Sequence, residues 1–172
     1  MSDLSGAKVL ILMGSKSDWP TMAACSERLD EIGVPHAVHV ASAHRSPRRV
    51  ETLVREAEAA GVGVLIAAAG MAAHLAGAVA AQTTRPVIGV PMASSPLQGF
   101  DALLSTVQMP PGMPVLTMAV GKPGAINAAE AAAQILALAD ADLASRLETR
   151  RRALPDKIAE QDDQLSKERR KS

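Results

Sequence analysis

Five short apolar runs, Val9 to Met13, Ala37 to Ala41, Val64 to Ala68, Val87 to Val90 and Val115 to Val120, alternate along the chain with longer stretches whose apolar positions recur at helical spacing. Apolar runs without regular polar alternation suit strands buried on both faces, and strands separated by helices predict a parallel sheet covered on both sides. The helices are expected near Trp19 to Ile32, Pro47 to Ala60, Ala73 to Gln82 and, more loosely, Phe100 to Gln108, with another running from Ala125 to about Ala141. The second has a legible start and stop. Ser46 can cap the free amides, Pro47 suits the first helical position, Glu51 falls in the early turns, and Gly61 ends the pattern.

After the fourth run, Pro91, Pro96, Pro110, Pro111 and Pro114 punctuate the chain and mark loops rather than a linker between domains. From Leu143 onward charge dominates, with Arg150, Arg151 and Arg152 before Pro155 and a mixed-sign stretch to Ser172. The expected organisation is one α/β catalytic domain over 1–142, with 143–172 as its charged C-terminal helix and a frayed or partner-bound tail. There is no internal repeat.

Composition narrows the field. A chain of 172 residues with 48% hydrophobic content suits one domain with a real core. Lys plus Arg and Asp plus Glu number 18 each, so the overall charge argues for neither nucleic acid nor a membrane surface. The three consecutive arginines read as a solvated helix face, and a small ligand, neutral or locally anionic, is the expected partner. No apolar stretch reaches the roughly 20 residues of a membrane span, and the first residues lack the basic start and apolar run of a secretion signal, so a cytoplasmic location is expected. The single cysteine, Cys25, cannot form an internal disulfide and reads as a helix packing position. One Trp, one Phe and no Tyr leave almost nothing on which a flavin or single-stranded bases could stack.

In open parallel sheets ligands bind beyond the carboxyl ends of the strands, where loops converge and helix amides point outward. After the first strand stands Gly14-Ser15-Lys16-Ser17-Asp18, whose amides and hydroxyls suit a phosphate and whose carboxylate can accept hydrogen bonds from ribose hydroxyls. The alternative is a plain turn with Asp18 as its cap. The segment lacks the spacing of a nucleoside triphosphate loop. After the second strand stands Ser42-Ala43-His44-Arg45-Ser46-Pro47. Capping needs only Ser46 and Pro47, so His44 and Arg45 are either surplus solvent-facing groups or a proton carrier beside a phosphate-binding fork. After the third strand stands Ala68-Ala69-Gly70-Met71-Ala72-Ala73-His74-Leu75, small residues that admit a ligand to the backbone, then a second histidine in the first turns of a helix. A structural role and a substrate contact are equally open for His74. His36 and His39, three apart in or near a strand, point to opposite faces and make no metal pair.

The ordered set Met13-Gly14-Ser15-Lys16-Ser17-Asp18, Ser42-Ala43-His44-Arg45, Ala72-Ala73-His74-Leu75 and Ser105-Thr106-Val107-Gln108-Met109-Pro110 resembles the first class of the 5-(carboxyamino)imidazole ribonucleotide mutase family of purine biosynthesis. The likeness runs from about Lys8 to Leu138. It implies a three-layer α/β/α sandwich of flavodoxin type with a five-stranded parallel sheet. It also implies a homo-octamer with active sites partly at subunit contacts, and no metal or organic cofactor. By the same resemblance Ser15, Asp18 and Arg45 bind the ribonucleotide, Ser17 and Ser42 assist, His44 is the general acid and base, and Gly70 and His74 belong to the loop lining the substrate base. Against the commonest family pattern of that loop, Ala68 and Met71 each replace a Gly and Ala76 replaces a Pro.

The implied reaction moves a carboxylate from an exocyclic nitrogen to a ring carbon of one molecule. Protonating the nitrogen releases carbon dioxide, carbon attack recaptures it, and a ring proton must then leave, so one histidine that gives and takes a proton near neutrality suffices. Ala69, Ala72 and Ala73 are expected to form a dry wall that holds the gas. The nearest rival is the family's second class, which carboxylates aminoimidazole ribonucleotide directly. That class tends to carry Lys after the His and lacks the Ala-Ala-His-Leu loop, whereas Arg45 and Ala72 to Leu75 stand here. A rival of another kind is a non-catalytic module on the same sandwich. A receiver needs an acceptor Asp after the third strand, where Ala67 to Gly70 stand, and a flavin carrier wants aromatics.

Overall fold

A computed structural model describes residues 3–169. Five parallel strands, β1 (Val9–Met13), β2 (His36–Val40), β3 (Val64–Gly70), β4 (Val87–Met92) and β5 (Leu116–Thr117), form one sheet in the order β2-β1-β3-β4-β5. The helices are α1 (Trp19–Ile32), α2 (Pro47–Ala59), α3 (Leu75–Ala80), α4 (Phe100–Val107), α5 (Lys122–Ala137), α6 (Ala141–Arg152) and α7 (Leu154–Arg169). This is the flavodoxin-like arrangement, and the single reversal of strand order leaves a crevice at the carboxyl ends of β1 and β3.

Alternate residues of each central strand feed two separate cores, which is why the runs are apolar throughout. Val9, Ile11, Met13, Val64, Ile66, Ala68, Ile88 and Val90 pack with Met22, Cys25 and Leu29 of α1 and with Ala125, Ala128, Ala129, Ala132 and Ala133 of α5. Leu10, Leu12, Leu65, Ala67 and Val87 pack with Val50, Leu53, Val54 and Ala57 of α2 and with Leu75, Ala76 and Val79 of α3. The alanine face of α5 lets it sit close to the sheet and to α1. Cys25 is fully buried, and burial pushes its thiol up to about 12, so it stays protonated and inert at neutral pH.

The last strand is shorter than its apolar run. Only Leu116 and Thr117 pair with β4, although Val115 to Val120 reads as a strand. The carbonyls of Gly89 and Pro91 face this edge, accepting from Met118 N at 2.9 Å and from Gly121 N at 2.9 Å. Pro91 has no amide hydrogen to return, so a regular ladder cannot continue there. At Gly89 an added Cβ would lie 2.5 Å from Thr106 Cγ2, and the missing side chain is what lets α4 approach β4.

Other boundaries shift for local reasons. The third helix begins at Leu75 rather than Ala73, because Met71 adopts a left-handed φ of 57° and the turn behind it ends only at His74, the N-cap. Ser46 occupies the N-cap of α2 without capping it: its hydroxyl accepts from Ser42 N at 2.9 Å and donates to Ser42 O at 3.2 Å, closing the preceding turn instead. The charged C-terminal stretch is helical through Arg169 rather than frayed, with Pro155 accommodated in the first turn of α7. Residues 170–172 of that stretch lie outside the described residues. Leu143 of α6 is buried in the first core, whereas α7 buries nothing.

Candidate active site

The turn after β1 folds on its own side chains. Ser15 Oγ accepts from Ser17 N at 3.2 Å, Asp18 Oδ2 accepts from Ser15 N at 3.1 Å, and Ser17 Oγ donates to Ser15 Oγ at 2.8 Å. This reciprocal capping box holds a single 3₁₀ turn, Lys16–Asp18, ahead of α1. Asp18 is therefore a fixed and buried acceptor, yet its side chain makes no capping bond to α1. Burial raises its pKa, while the Ser15 amide and the charge of Arg45 pull it back down. Lys16 is exposed and turns away from the crevice.

The turn after β2 is built on Ser42. Its Oγ accepts from Arg45 N at 3.2 Å and lies 3.5 Å from Arg45 Nε. Arg45 Nη2 donates to the carbonyl of Gly14 at 3.0 Å, so the guanidinium lies against the neighbouring turn. His44, between them in sequence, is exposed and points toward the third loop, where its ring lies parallel to that of His74, with centroids 6.0 Å apart and planes inclined by 8°. His74 sits at the N-cap of α3 but makes no side-chain cap, leaving its ring free.

The loop after β3 passes close to the chain beyond β4. A Cβ on Gly70 would lie 1.8 Å from Ser94 Oγ and 3.3 Å from the carbonyl of Met92, so the missing side chain is what lets the two loops approach this closely. Ser94 was not legible as a site residue: it stands in the proline-punctuated stretch after the fourth strand. The rule that ligands gather at carboxyl ends of strands is the signal that marks it.

Ser15, Ser17, Asp18, Ser42, His44, Arg45, Gly70 and His74 all line one cavity of about 490 Å³, together with Ser94, Met71, Ala69 and Ala72. That volume suits a small ligand. Among the described residues that line it, Arg45 is the only permanently cationic one and Asp18 the only carboxylate. Serine hydroxyls and a guanidinium are groups that can meet a phosphate ester, and a carboxylate beside them can accept from sugar hydroxyls. The two imidazoles of the cavity stack on one another, joining the turn after β2 to the loop after β3. Ala73 does not belong with Ala69 and Ala72 in this wall: it is buried and does not line the cavity. Wider clefts of about 750 and 1160 Å³ lie elsewhere, lined by segments such as Gln82 to Val87 or the α6 to α7 junction, and neither contains a histidine.

The remaining histidines do not line this cavity. His36 bonds Ser26 Oγ at 2.6 Å and Val34 O at 3.1 Å on the α1 side. His39, on the opposite face, has its pKa lowered by burial and by Arg49. Among the described residues no group of three or more His, Cys, Asp or Glu side chains could hold a metal ion, and no helix is long and apolar enough to cross a membrane.

Comparison with known proteins places this geometry. The family model described as AIR carboxylase matches residues 8–157. N5-carboxyaminoimidazole ribonucleotide mutase of Escherichia coli K12 is 52% identical over 157 residues, covering 91% of this chain and 93% of that protein. The mutase of Bacillus subtilis is 51% identical over 155 residues, covering 90% and 96%. The crystal structure of Treponema denticola PurE superposes with a TM-score of 0.82 at 30% identity, covering 91% of this chain and 97% of that one.

Proposed function

The chain belongs to the AIR carboxylase family, and we propose that it is an isomerase, an N5-carboxyaminoimidazole ribonucleotide mutase of purine biosynthesis. The observation that carries the reading is the convergence in one cavity of serine hydroxyls, a guanidinium, a carboxylate and two imidazoles, brought by three separate turns. Similarity to two mutases over nine-tenths of the chain selects this reaction among those such a site could perform.

In this reading Ser15, Ser17 and Arg45 hold the ribonucleotide phosphate, with Ser42 orienting Arg45 through its hydroxyl, and Asp18 accepts hydrogen bonds from the ribose. Gly70 and His74 line the base. His44 in its imidazolium form donates to the exocyclic nitrogen. The carbamate N–C bond breaks with its electron pair left on nitrogen, and carbon dioxide is freed. Ring carbon C4 then attacks the carbon dioxide, and the now neutral His44 removes the C4 proton, restoring both the aromatic ring and the imidazolium. The imidazole ends in its starting form, and no atom of the substrate changes its oxidation state overall beyond the transfer of the carboxylate. Ala69 and Ala72 flank the place where the gas is held.

The same reading takes 1–142 as the catalytic unit and 143–172 as its appendage, and places the enzyme in the cytoplasm as a homo-oligomer, an octamer. Apolar side chains left at the surface support self-association: Phe100 and Leu104 on α4 and Leu154, Ile158 and Leu165 on α7 are all more than two-fifths exposed.

The deciding experiment supplies the carbamate ribonucleotide, or aminoimidazole ribonucleotide with and without bicarbonate, and follows formation of the C4 carboxylate beside His44→Asn. Turnover of the carbamate without added bicarbonate is expected. Turnover only of aminoimidazole ribonucleotide with carbon dioxide would make the protein a direct carboxylase, and no turnover of either a non-catalytic module.

A further inference from the structure

Met71 occupies a position that backbone sterics reserve for glycine. Its φ of 57° lies in the left-handed region, where Cβ crowds the following carbonyl. The loop imposes that conformation: Gly70 must slip past Ser94, and Met71 O then accepts from Ala73 N at 2.9 Å, a three-residue turn that delivers His74 to the start of α3. Glycine would take this conformation without strain, and it is what the commonest pattern of the resembling family has here. This chain instead carries a long, flexible apolar side chain, 60% exposed, on the rim of the cavity that holds His44 and His74.

The rest of the lining explains what that side chain can do. Ala43, Ala69 and Ala72 are too short to reach across the opening, and Leu75, the one other large apolar residue there, is 2% exposed and committed to the core. Met71 belongs to neither core cluster. It is the sole large apolar group of the cavity free to move, and a thioether on three rotatable bonds adapts readily to the edge of a flat heterocycle.

We propose that Met71 is a specificity-determining residue, a flap that folds over the aminoimidazole base and keeps freed carbon dioxide in and water out. The inference rests on the mutase reading. It adds a long apolar side chain to the loop that carries Ala69 and Ala72, in a place where the chain tolerates left-handed backbone to have it.

The test compares Met71→Gly, which removes the flap and relieves the backbone, with Met71→Leu, which keeps apolar bulk at the same strained position. Each enzyme converts ribonucleotide labelled with carbon-13 in its carboxylate, in buffer holding unlabelled bicarbonate, and label retained in product is measured by mass spectrometry. For Met71→Gly the escape of label per turnover should rise about tenfold, the scale of one lost apolar contact, with a raised KM. Its Tm should stand at or above that of the parent, a direction that a merely structural role for the side chain would not give. Met71→Leu should retain label nearly as the parent does. Parental retention and KM in Met71→Gly would overturn the proposal. So would leakage that appears only together with a smaller assembly by light scattering, since that would make Met71 a subunit contact. Failure of the parent enzyme to turn over the carbamate, seen before any variant is compared, would remove the mutase reading and this inference with it.

Discussion

The guanidinium of Arg45 reaches out of its own turn to the carbonyl of Gly14, 3.0 Å from Nη2, and so ties the loop after β2 to the loop after β1. The bond fixes one edge of the fork and leaves the planar group lying along the cavity where the serine hydroxyls of the first turn are exposed. A lysine at this position keeps the charge and loses the plane, so it cannot offer Gly14 and a phosphate the same separate, fixed donors. Arg45→Lys should therefore raise the dissociation constant for aminoimidazole ribonucleotide by about 10- to 100-fold, the scale of one charge-assisted hydrogen bond. Its Tm should hardly change, because Arg45 is exposed. Isothermal calorimetry on parent and variant decides, and equal constants would remove Arg45 from the phosphate receptor.

Asp18 gives stability and binding opposite dependences on pH. Burial is the strongest influence on its carboxyl and raises the pKa, against the Ser15 amide and Arg45. Between the ordinary carboxyl value of about 3.9 and the raised one, the folded protein holds a proton that the unfolded chain has released. The stabilising contribution of this group is thus complete below the ordinary value and is lost as pH rises through the folded one. Binding needs the ionised acceptor and should weaken as pH falls through that same folded value. KM plotted against pH should rise on the acid side in the parent. Arg45→Ala, which removes the neighbouring positive charge, should move that rise to higher pH, and Asp18→Asn should abolish it while binding weakly throughout. An acid limb that persists unchanged in Asp18→Asn would assign it to another group.

The legible parts of this molecule are those written in local periodicity. Val9 to Met13 and Trp19 to Ile32 coincide with β1 and α1 because each is apolar for its full length or along one face, and Gly33 ends the helix with a φ of 77°. The turns after β1 and β2 could be picked out because they hold more polar chemistry than capping requires, and the strand-end rule put both on one edge of the sheet. What escaped depends on contacts distant in sequence. Ser94 matters through its distance from Gly70, 24 positions earlier, and no pattern within either segment records that approach. Ala73 looked like a wall residue because its neighbours are, yet it is buried and does not line the cavity. The truncation of β5 follows from a proline in the adjacent strand, a non-local consequence of a local rule.

Gly70 gives a prediction about cavity shape. An alanine there would place Cβ 1.8 Å from Ser94 Oγ, but that oxygen is the end of a rotatable side chain on an exposed residue and can swing away. The contacts at 3.1 Å to Ser94 Cβ and 3.3 Å to Met92 O remain and press the two loops apart. Gly70→Ala should therefore fold, with a loss of about 1–3 kcal/mol in urea titration, the cost of overpacking a close contact, and a clear rise in KM. Adding Ser94→Ala removes the displaced hydroxyl but not the Cβ, and should restore stability in part without restoring KM. Full recovery of both would mean that the Ser94 hydroxyl contributes nothing to the substrate site.

The parallel rings of His44 and His74 pose the question of which imidazole carries the proton. Their environments differ in what holds the backbone: His44 lies in the tight Ser42 turn, whereas His74 begins α3 and would shift with that helix. The transfer to an exocyclic nitrogen and the return from C4 take place on one small heterocycle, so a single imidazole can serve both, and the proposed function gives that role to His44, next to the anchored Arg45. His44→Asn keeps size and one hydrogen bond but cannot carry a proton. It should bind aminoimidazole ribonucleotide with a dissociation constant close to the parent's, while kcat falls by about 10² to 10⁴ or more, since both proton steps are lost. The same change at His74 should act mainly on KM, because a ring that lines the base contributes to binding without moving the proton. Steady-state kinetics on the two variants separates the roles. Equal collapse of kcat in both would show the stacked pair working as one proton relay, and near-parental kcat in His44→Asn would transfer the acid and base role to His74.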